Sequence, residues 1–328
     1  MKRLDIEKLD PGVLSLLERA GELAKRQGIA AYLVGGVVRD LLLKRASLDI
    51  DVVVEGDGIA FARLLAQDID GKVTAYANFG VATIVCPDGM KADIVTARRE
   101  IYQRPGVLPQ IVPDAMPGDL FRRDFTINAL AASILPDEFG LLRDEHGGLA
   151  DLKAGRISIL HGRSFLDDPT RILRAVRYEA RFGFRMDPAT LKALKEAILA
   201  GCFSTITPVR YWNEFRRILQ EADPLPALER LRRLDALRFF ILDSPKAKNF
   251  RRLGRFLSGD GLRYLPTGLA FWHLYGAILL LGLNRDDAES VLSALNVVRE
   301  DKRKMLDILQ NDRLLDMLVG NFRVLRTN

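Results

Sequence analysis

Apolar residues recur at Val13, Leu14, Leu16, Leu17, Ala20, Leu23 and Ala24, a helical spacing bounded by Asp10-Pro11 as a start and Gly28 as a stop. The period then changes. Tyr32-Leu33-Val34 is an apolar run that halts at Gly35-Gly36, an amphipathic segment carries Arg39-Asp40, and Leu48 to Val54 is a second apolar run holding Asp49 and Asp51. That order predicts strand, glycine turn, helix and strand. Residues 59–69 read as a further helix. Short β-rich runs follow at Val73 to Tyr76, Val81 to Cys86 and Met90 to Thr96, with Pro87-Asp88-Gly89 as a hairpin turn.

Pro105-Gly106, Pro109, Pro113 and Pro117-Gly118 predict a mobile loop over residues 100–120, a length that is usually functional inside a compact domain. Arg122-Arg123-Asp124-Phe125-Thr126-Ile127-Asn128 then reads as two guanidinium groups, an N-cap aspartate and a helix. Gly147 to Leu152 reads as a turn and Ile157 to Leu160 as a short strand. A long helix is expected from the Asp167-Asp168-Pro169 start to about Phe182, with Pro169 at its first turn. Everything beyond is helical in pattern: 188–200, 208–221, 225–240, 246–258, 266–283, 286–297 and 300–319. The fold class expected is α+β, with strands confined to the first half and an all-α remainder.

Composition narrows the class without deciding it. The chain has 328 residues, 48% hydrophobic and 28% charged, ordinary for a soluble globular protein of two or three domains. The opening Met-Lys-Arg-Leu-Asp-Ile-Glu has no apolar core of a secretory signal, and the most apolar stretch, Leu269 to Leu283, is too short to span a bilayer. No membrane association is expected. Cys86 and Cys202 stand far apart with no C-x-x-C pattern, which suits core thiols in a reducing cytoplasm and argues against a zinc site. Charge is unevenly placed: residues 1–160 carry a net −3 and residues 161–328 a net +9, within the overall +6. An acidic half suits metal ions and a basic half suits a polyanion such as nucleic acid.

On a strand, residues two apart share a face, so Asp49 and Asp51 should project together while Ile50 and Val52 enter the core. Magnesium is bound through one or two carboxylates plus substrate phosphates, and a glycine turn leading into a helix presents backbone N–H groups to phosphate. Alone, Asp-x-Asp is commonly a solvated strand edge; the Gly-Gly turn and Arg39 just upstream favour a metal–triphosphate site. Asp93 lies in the strand expected beside Asp51 and is a candidate third carboxylate, with an exposed strand residue as its plain alternative. Arg122 and Arg123 are candidates for phosphate oxygens or, more plainly, a surface basic pair. Arg171 and Arg174 share a helix face with Arg177 and Arg181 trailing around it, a grouping that requires anions: a ligand's, or Glu179 and the two aspartates.

Taken together, Gly35-Gly36-x-x-Arg39-Asp40 with Asp49-x-Asp51, then Arg122 to Asn128, then Asp167-Asp168-x-x-Arg171 with Arg174 and Arg177, resemble the class II tRNA nucleotidyltransferase and bacterial poly(A) polymerase family from about residue 30 to about residue 220. The resemblance implies a polymerase-β-like nucleotidyltransferase head over 1–155, a helical neck over 156–222 that selects the nucleotide and binds RNA, and a helical body and tail over 223–328. It implies that Asp49 and Asp51 hold two Mg2+ ions, beside which Asp93 is the candidate third catalytic carboxylate. Gly35, Gly36, Arg39, Arg123, Asp124 and Asn128 would contact the nucleotide, and Asp168 and Arg171 would hydrogen-bond the base of CTP or ATP, with Arg174 and Arg177 along the pocket. The implied partner is the 3′ end of tRNA, held by its acceptor arm.

A carboxylate accepts from the exocyclic amino group that cytosine and adenine share, whereas uracil and guanine present the wrong group. An N-cap role for Asp168 competes with that use. The sequence departs from the family pattern in Asp167-Asp168 where Glu-Asp is usual, and in Val209-Arg210 where Glu-Arg is frequent, although Glu214 is in place. With only His146, His161 and His273, the metal-phosphohydrolase domain of some relatives is not expected. Family members add CCA, CC, A or poly(A); retention of residues 100–121 favours an enzyme that reaches the final A. A non-catalytic RNA-binding protein and a small-molecule nucleotidyltransferase are the rival readings.

Overall fold

The computed structural model describes residues 2–45, 49–237, 247–258 and 269–311. These fall into two units. One runs to Ser164 and takes in Arg185–Thr190; the other comprises Phe165–Phe184 and the described residues from Leu191 onward.

In the first unit α1 (Pro11–Gln27) starts and stops as its pattern predicts, with the Asp10 carboxylate accepting from the Gly12 amide and Gly28 left-handed at its end. β1 (Ala31–Val34), α2 (Gly36–Leu42), β2 (Ile50–Val54), α3 (Gly58–Asp68), β3 (Lys72–Tyr76), β4 (Val81–Val85) and β5 (Lys91–Thr96) follow in the expected order. β6 (Arg98–Ile101) and β7 (Gln110–Pro113) form a separate antiparallel hairpin, and α4 (Met116–Phe121), β8 (Ala131–Ser133), β9 (Leu142–Arg143), α5 (Gly148–Ala154) and β10 (Arg156–Ile157) complete the run.

The main sheet has seven strands in the order β3-β4-β5-β2-β1-β8-β9. β2 and β5 pair in parallel, and the other neighbours are antiparallel. On one face Tyr32, Val34, Val53 and Ala131 pack against Met116 and Leu120 of α4. The alternate residues Leu33, Val52 and Ile94 point the other way and are equally buried, so both faces are covered. Gly21 lets α1 approach this layer closely, because a Cβ there would stand 1.9 Å from the carbonyl oxygen of Ile134.

Three local expectations are corrected. Residues 100–120 are not one loop: they contain the end of β6, all of β7 and all but the last residue of α4, because residues pair across the hairpin from Arg98–Pro113 to Ile101–Gln110. Arg122 and Arg123 follow the C-terminal end of α4 rather than opening a helix, and Thr126–Asn128 is a single 3-10 turn. The segment from Phe125 to Leu130 is buried throughout and has no solvent face for a longer helix to present. Gly147-Gly148 is a turn only at Gly147; Gly148 begins α5, whose first amides are held by the Asp144 carboxylate.

The chain continues through α6 (Ser164–Asp167), α7 (Thr170–Phe182) and β11 (Arg185–Met186), which pairs in parallel with β10, and α8 (Pro188–Leu199). Then come α9 (Pro208–Leu219), α10 (Leu225–Arg233), α11 (Ala247–Ser258), α12 (Phe271–Leu280), α13 (Arg285–Ala294) and α14 (Arg299–Gln310). In the second unit α7 packs on α9 and α10, while α12 packs on α9, α11 and α14. Of the expected helices, residues 238–240, Lys246, residues 266–268 and residues 312–319 lie outside the described residues, as does Leu48. No described helix is long and apolar enough to cross a membrane.

Cys86 and Cys202 are free and buried, as core thiols should be. Burial pushes the Cys202 thiol up to about 11. At pH 8 only roughly a thousandth of it is thiolate, so Cys202 should resist alkylation by iodoacetamide in the folded protein and react promptly in denaturant; mass spectrometry of the labelled peptide reads this out. Gly21→Ala forces α1 away from Ile134 and should destabilise the protein by about 1–3 kcal/mol, measured as a fall in the urea midpoint.

Candidate active site

The site grows from the register of β2 and β5. Asp51 stands opposite Asp93 on the neighbouring parallel strand, and Asp93 stands opposite Thr83 on β4. Residues in register share a face, and period 2 gives Asp51 and Asp93 the face of Val53 and Val95, the one covered by α4. The Thr83 hydroxyl donates to Asp93 Oδ1 at 2.6 Å, fixing that carboxylate. Asp49 stands one residue before β2 and is exposed, so it adjoins the strand rather than extending it. Burial pushes the Asp51 carboxyl above its ordinary range; Arg123 acts against this, while Asp93 and Asp49 add to it. Carboxylates crowded in this way are a donor set that a divalent cation would relieve. Among the described residues no three His, Cys, Asp or Glu side chains form an all-protein cage, and a metal that shares its coordination with substrate phosphates requires none.

The glycine turn lies at the same end of the sheet. β1 runs antiparallel to β2 with Leu33 opposite Val52, so β1 leaves the sheet beside the end of β2 that carries Asp51. Gly35 has φ +74°, a left-handed value that favours glycine, and its amide donates to the Leu130 carbonyl at 3.1 Å. A Cβ on Gly35 would stand 2.7 Å from Arg123 Nη1. The missing side chain is therefore the space in which the Arg123 guanidinium sits.

Below the turn is a buried polar chain. Arg39 donates to both Asp40 oxygens at 2.9 and 3.0 Å and to Asn128 Oδ1 at 2.5 Å. The Asn128 amide donates to Asp124 Oδ1 at 2.8 Å, and the same oxygen accepts from the Phe125 amide at 2.9 Å. Arg39, Asp124 and Asn128 are thus brought together, each engaged inwards. Arg122 and Arg123 share one carboxylate that sequence reasoning missed. Asp119 Oδ1 accepts from Arg122 Nε and Nη2 at 2.9 and 2.7 Å, and Oδ2 accepts from Arg123 Nη2 at 2.8 Å. Burial raises the Asp119 carboxyl, but the charges of Arg123 and Arg122 outweigh it and hold the group below the ordinary carboxylate range. Arg122 also pairs with Glu100 of β6 at 3.1 Å. The i, i+4 spacing of Asp119 and Arg123 is a signal for this contact once α4 is known to be a helix.

The second unit holds the other candidate residues. Asp168 Oδ1 accepts from the Thr170 amide at 3.0 Å, the Thr170 hydroxyl at 2.6 Å and Arg210 Nη2 at 2.8 Å. The helix-start role and the base-reading role therefore need not compete, since all three bonds fall on one oxygen. Arg210 is a partner that sequence reasoning did not identify. Arg171 is buried in α7. Arg174 and Arg177 each lie 3.6 Å from a Glu214 oxygen, and Arg177 and Arg181 lie 3.5 and 3.9 Å from Glu221. Glu179, the alternative structural partner of this row, accepts from Arg230 at 2.9 Å.

Comparison with known proteins identifies the family. Residues 31–158 match the poly A polymerase head domain and residues 183–248 match the probable RNA and SrmB-binding site of polymerase A. An A-adding tRNA nucleotidyltransferase of Geobacter sulfurreducens is 36% identical over 310 residues, 93% of this chain and 35% of that protein. One from Halalkalibacterium halodurans is 35% identical over 300 residues, 90% of this chain and 68% of that protein. The structure of the Thermotoga maritima CCA-adding enzyme complexed with tRNA superposes with a TM-score of 0.80 at 30% identity, covering all of this chain (100%) and 79% of that one. The chain thus spans about a third of the first relative and two thirds of the second. With head, glycine turn and paired carboxylates all in place, the chain belongs to the tRNA nucleotidyltransferase and poly(A) polymerase family.

Proposed function

We propose that this chain adds nucleotides to the 3′ end of tRNA without a nucleic-acid template, transferring CMP and/or AMP from CTP or ATP, and that AMP is a nucleotide it adds. The observation that carries the chemistry is Asp51 beside Asp93 at the sheet end where the Gly35-Gly36 turn receives Arg123. Reach to A is supported by A-adding relatives that match 84–93% of the chain, against 62–64% for CC-adding and multifunctional CCA relatives. The setting proposed is the cytoplasm, with the acceptor arm gripped by the basic helical half.

Nucleotidyltransferases of this family generally act with divalent metal ions. The residues present fit two Mg2+ ions held by Asp49 and Asp51 with Asp93 beside them; such ions, when bound, activate the attacking hydroxyl and offset charge on the leaving oxygens. The chain's own groups do the rest. The turn amides and Arg123 hold the triphosphate, and Arg39, Asp124 and Asn128 brace the turn from below; choice of the base is assigned to Asp168 and Arg171, with Arg174 and Arg177, of the helical unit. The tRNA 3′-oxygen bonds to the α-phosphorus, the bond from that phosphorus to the bridging oxygen breaks, and pyrophosphate leaves. Most of the acceleration comes from positioning and fixed charge.

Purified protein should be incubated with Mg2+ and tRNA transcripts ending before the C's, after CC and complete, each with labelled CTP or ATP. One A added to the CC-ended transcript is the expected result. Three added nucleotides on the shortest transcript would extend the reading to CCA, two C's alone would make it CC-adding, and a long A ladder on any RNA would make it a poly(A) polymerase. Absence of extension would leave an RNA-binding protein. Asp51→Asn should lower incorporation roughly a hundredfold or more while tRNA binding persists in a gel-shift assay. Binding through about four phosphates should itself weaken roughly a hundredfold between 50 and 200 mM salt, and a flat dependence would refute the basic-face contact.

A further inference from the structure

We propose that Asp119 is a positioning residue for nucleotide binding: it acts on the triphosphate only through Arg123, by holding that guanidinium over Gly35. This inference rests on the reading of Arg123 as a triphosphate contact. Asp119 has 0% exposure, so it cannot itself touch substrate. Its Oδ2 takes Arg123 Nη2, while Nε of Arg123 is buried without a hydrogen-bond partner and Nη1 rests against the Gly35 backbone. One edge of the guanidinium is thereby anchored and the other is left for an anion at the glycine turn. Charge points the same way. Arg98, Arg122 and Arg123 are crowded together in this cluster with Asp119 and Glu100, and the proximity of Arg122 and Arg123, after burial, depresses the Arg98 guanidinium. A phosphate at the glycine turn would ease that crowding of guanidinium groups.

A free arginine side chain carries substantial rotamer entropy, and anchoring it before binding removes that cost from the nucleotide's affinity. Asp119→Asn keeps the shape and removes the charge. Its KM for ATP should rise roughly tenfold, with KM for tRNA unchanged and with the Kd for ATP, measured by calorimetry on the full chain, rising in parallel. A purely structural role would instead lower Tm without this selectivity.

The deciding experiment is a double-mutant cycle with Arg123→Gln. If Asp119 acts through Arg123, Asp119→Asn adds nothing to the ATP Kd once Arg123→Gln is present. Independent, multiplying effects would overturn the proposal, as would an unchanged ATP Kd in Asp119→Asn. Should Asp119→Asn not fold, Asp119→Glu, which keeps the charge but displaces it by one methylene, is carried through the same cycle with the same two outcomes. If Arg123→Gln alone leaves the ATP Kd unchanged, the reading of Arg123 fails first, and the proposal with it.

Discussion

The parallel pairing of β2 with β5 is the constraint on which the candidate site depends. Side chains alternate across a strand, so the register that seats Ile50, Val52 and Ile94 in the core is the same one that sets Asp51 beside Asp93. A slip of one residue would send a carboxylate to the face that Ile50, Val52 and Ile94 bury and end the adjacency of Asp51 and Asp93. The hydrophobic core thus enforces the adjacency of two negative charges that would not otherwise choose to be neighbours. Burial and mutual repulsion both raise the Asp51 carboxyl, and Arg123 is the group that acts against them.

That opposition explains why the arginines are themselves so firmly held. Leaving a charge buried and unpaired costs several kcal/mol; in the first unit Asp40 meets Arg39 and Asp119 meets Arg122 and Arg123, and in the second Glu214 meets Arg174 and Arg177. The partners are shared rather than one to one. Glu214 meets Arg174, Arg177 and also Arg217, and Asp119 meets two arginines at once.

Much of this was legible in the chain itself. The periods of α1, β4 and β5 are strong because each alternates buried with more exposed positions, whereas β1 and β2, buried at nearly every residue, show instead as short apolar runs, and Gly35-Gly36 with Asp49 and Asp51 points to the candidate site. Where both faces are buried, period vanishes: the segment from Phe125 to Leu130 has no polar side to betray its conformation, and Asp124, which resembles an N-cap, instead holds Asn128 and the Phe125 amide. Prolines concealed the β6–β7 hairpin, although Pro113 sits at a strand end where its missing N–H is tolerated. The partners of the arginine row were invisible for another reason. Glu214 lies 37 residues beyond Arg177 in the sequence, and no local spacing reports a contact made by tertiary packing.

Asp119 shows how one missed element hides a second feature. Its contact with Arg123 obeys the i, i+4 rule, yet that rule applies only on a helix, and the prolines around it argued for a loop. Pro117 falls in the first turn of α4, where the absent N–H costs nothing, and Glu55 accepts from the Met116 amide to complete the helix start. Once those two facts make residues 116–121 helical, Arg123 follows within one turn of Asp119, and Leu120 is directed into the sheet beside Val34 and Val53. The same short helix therefore buries the apolar face above the carboxylate strands and aims a guanidinium at the glycine turn, so packing and electrostatics at this site are set by a single six-residue element.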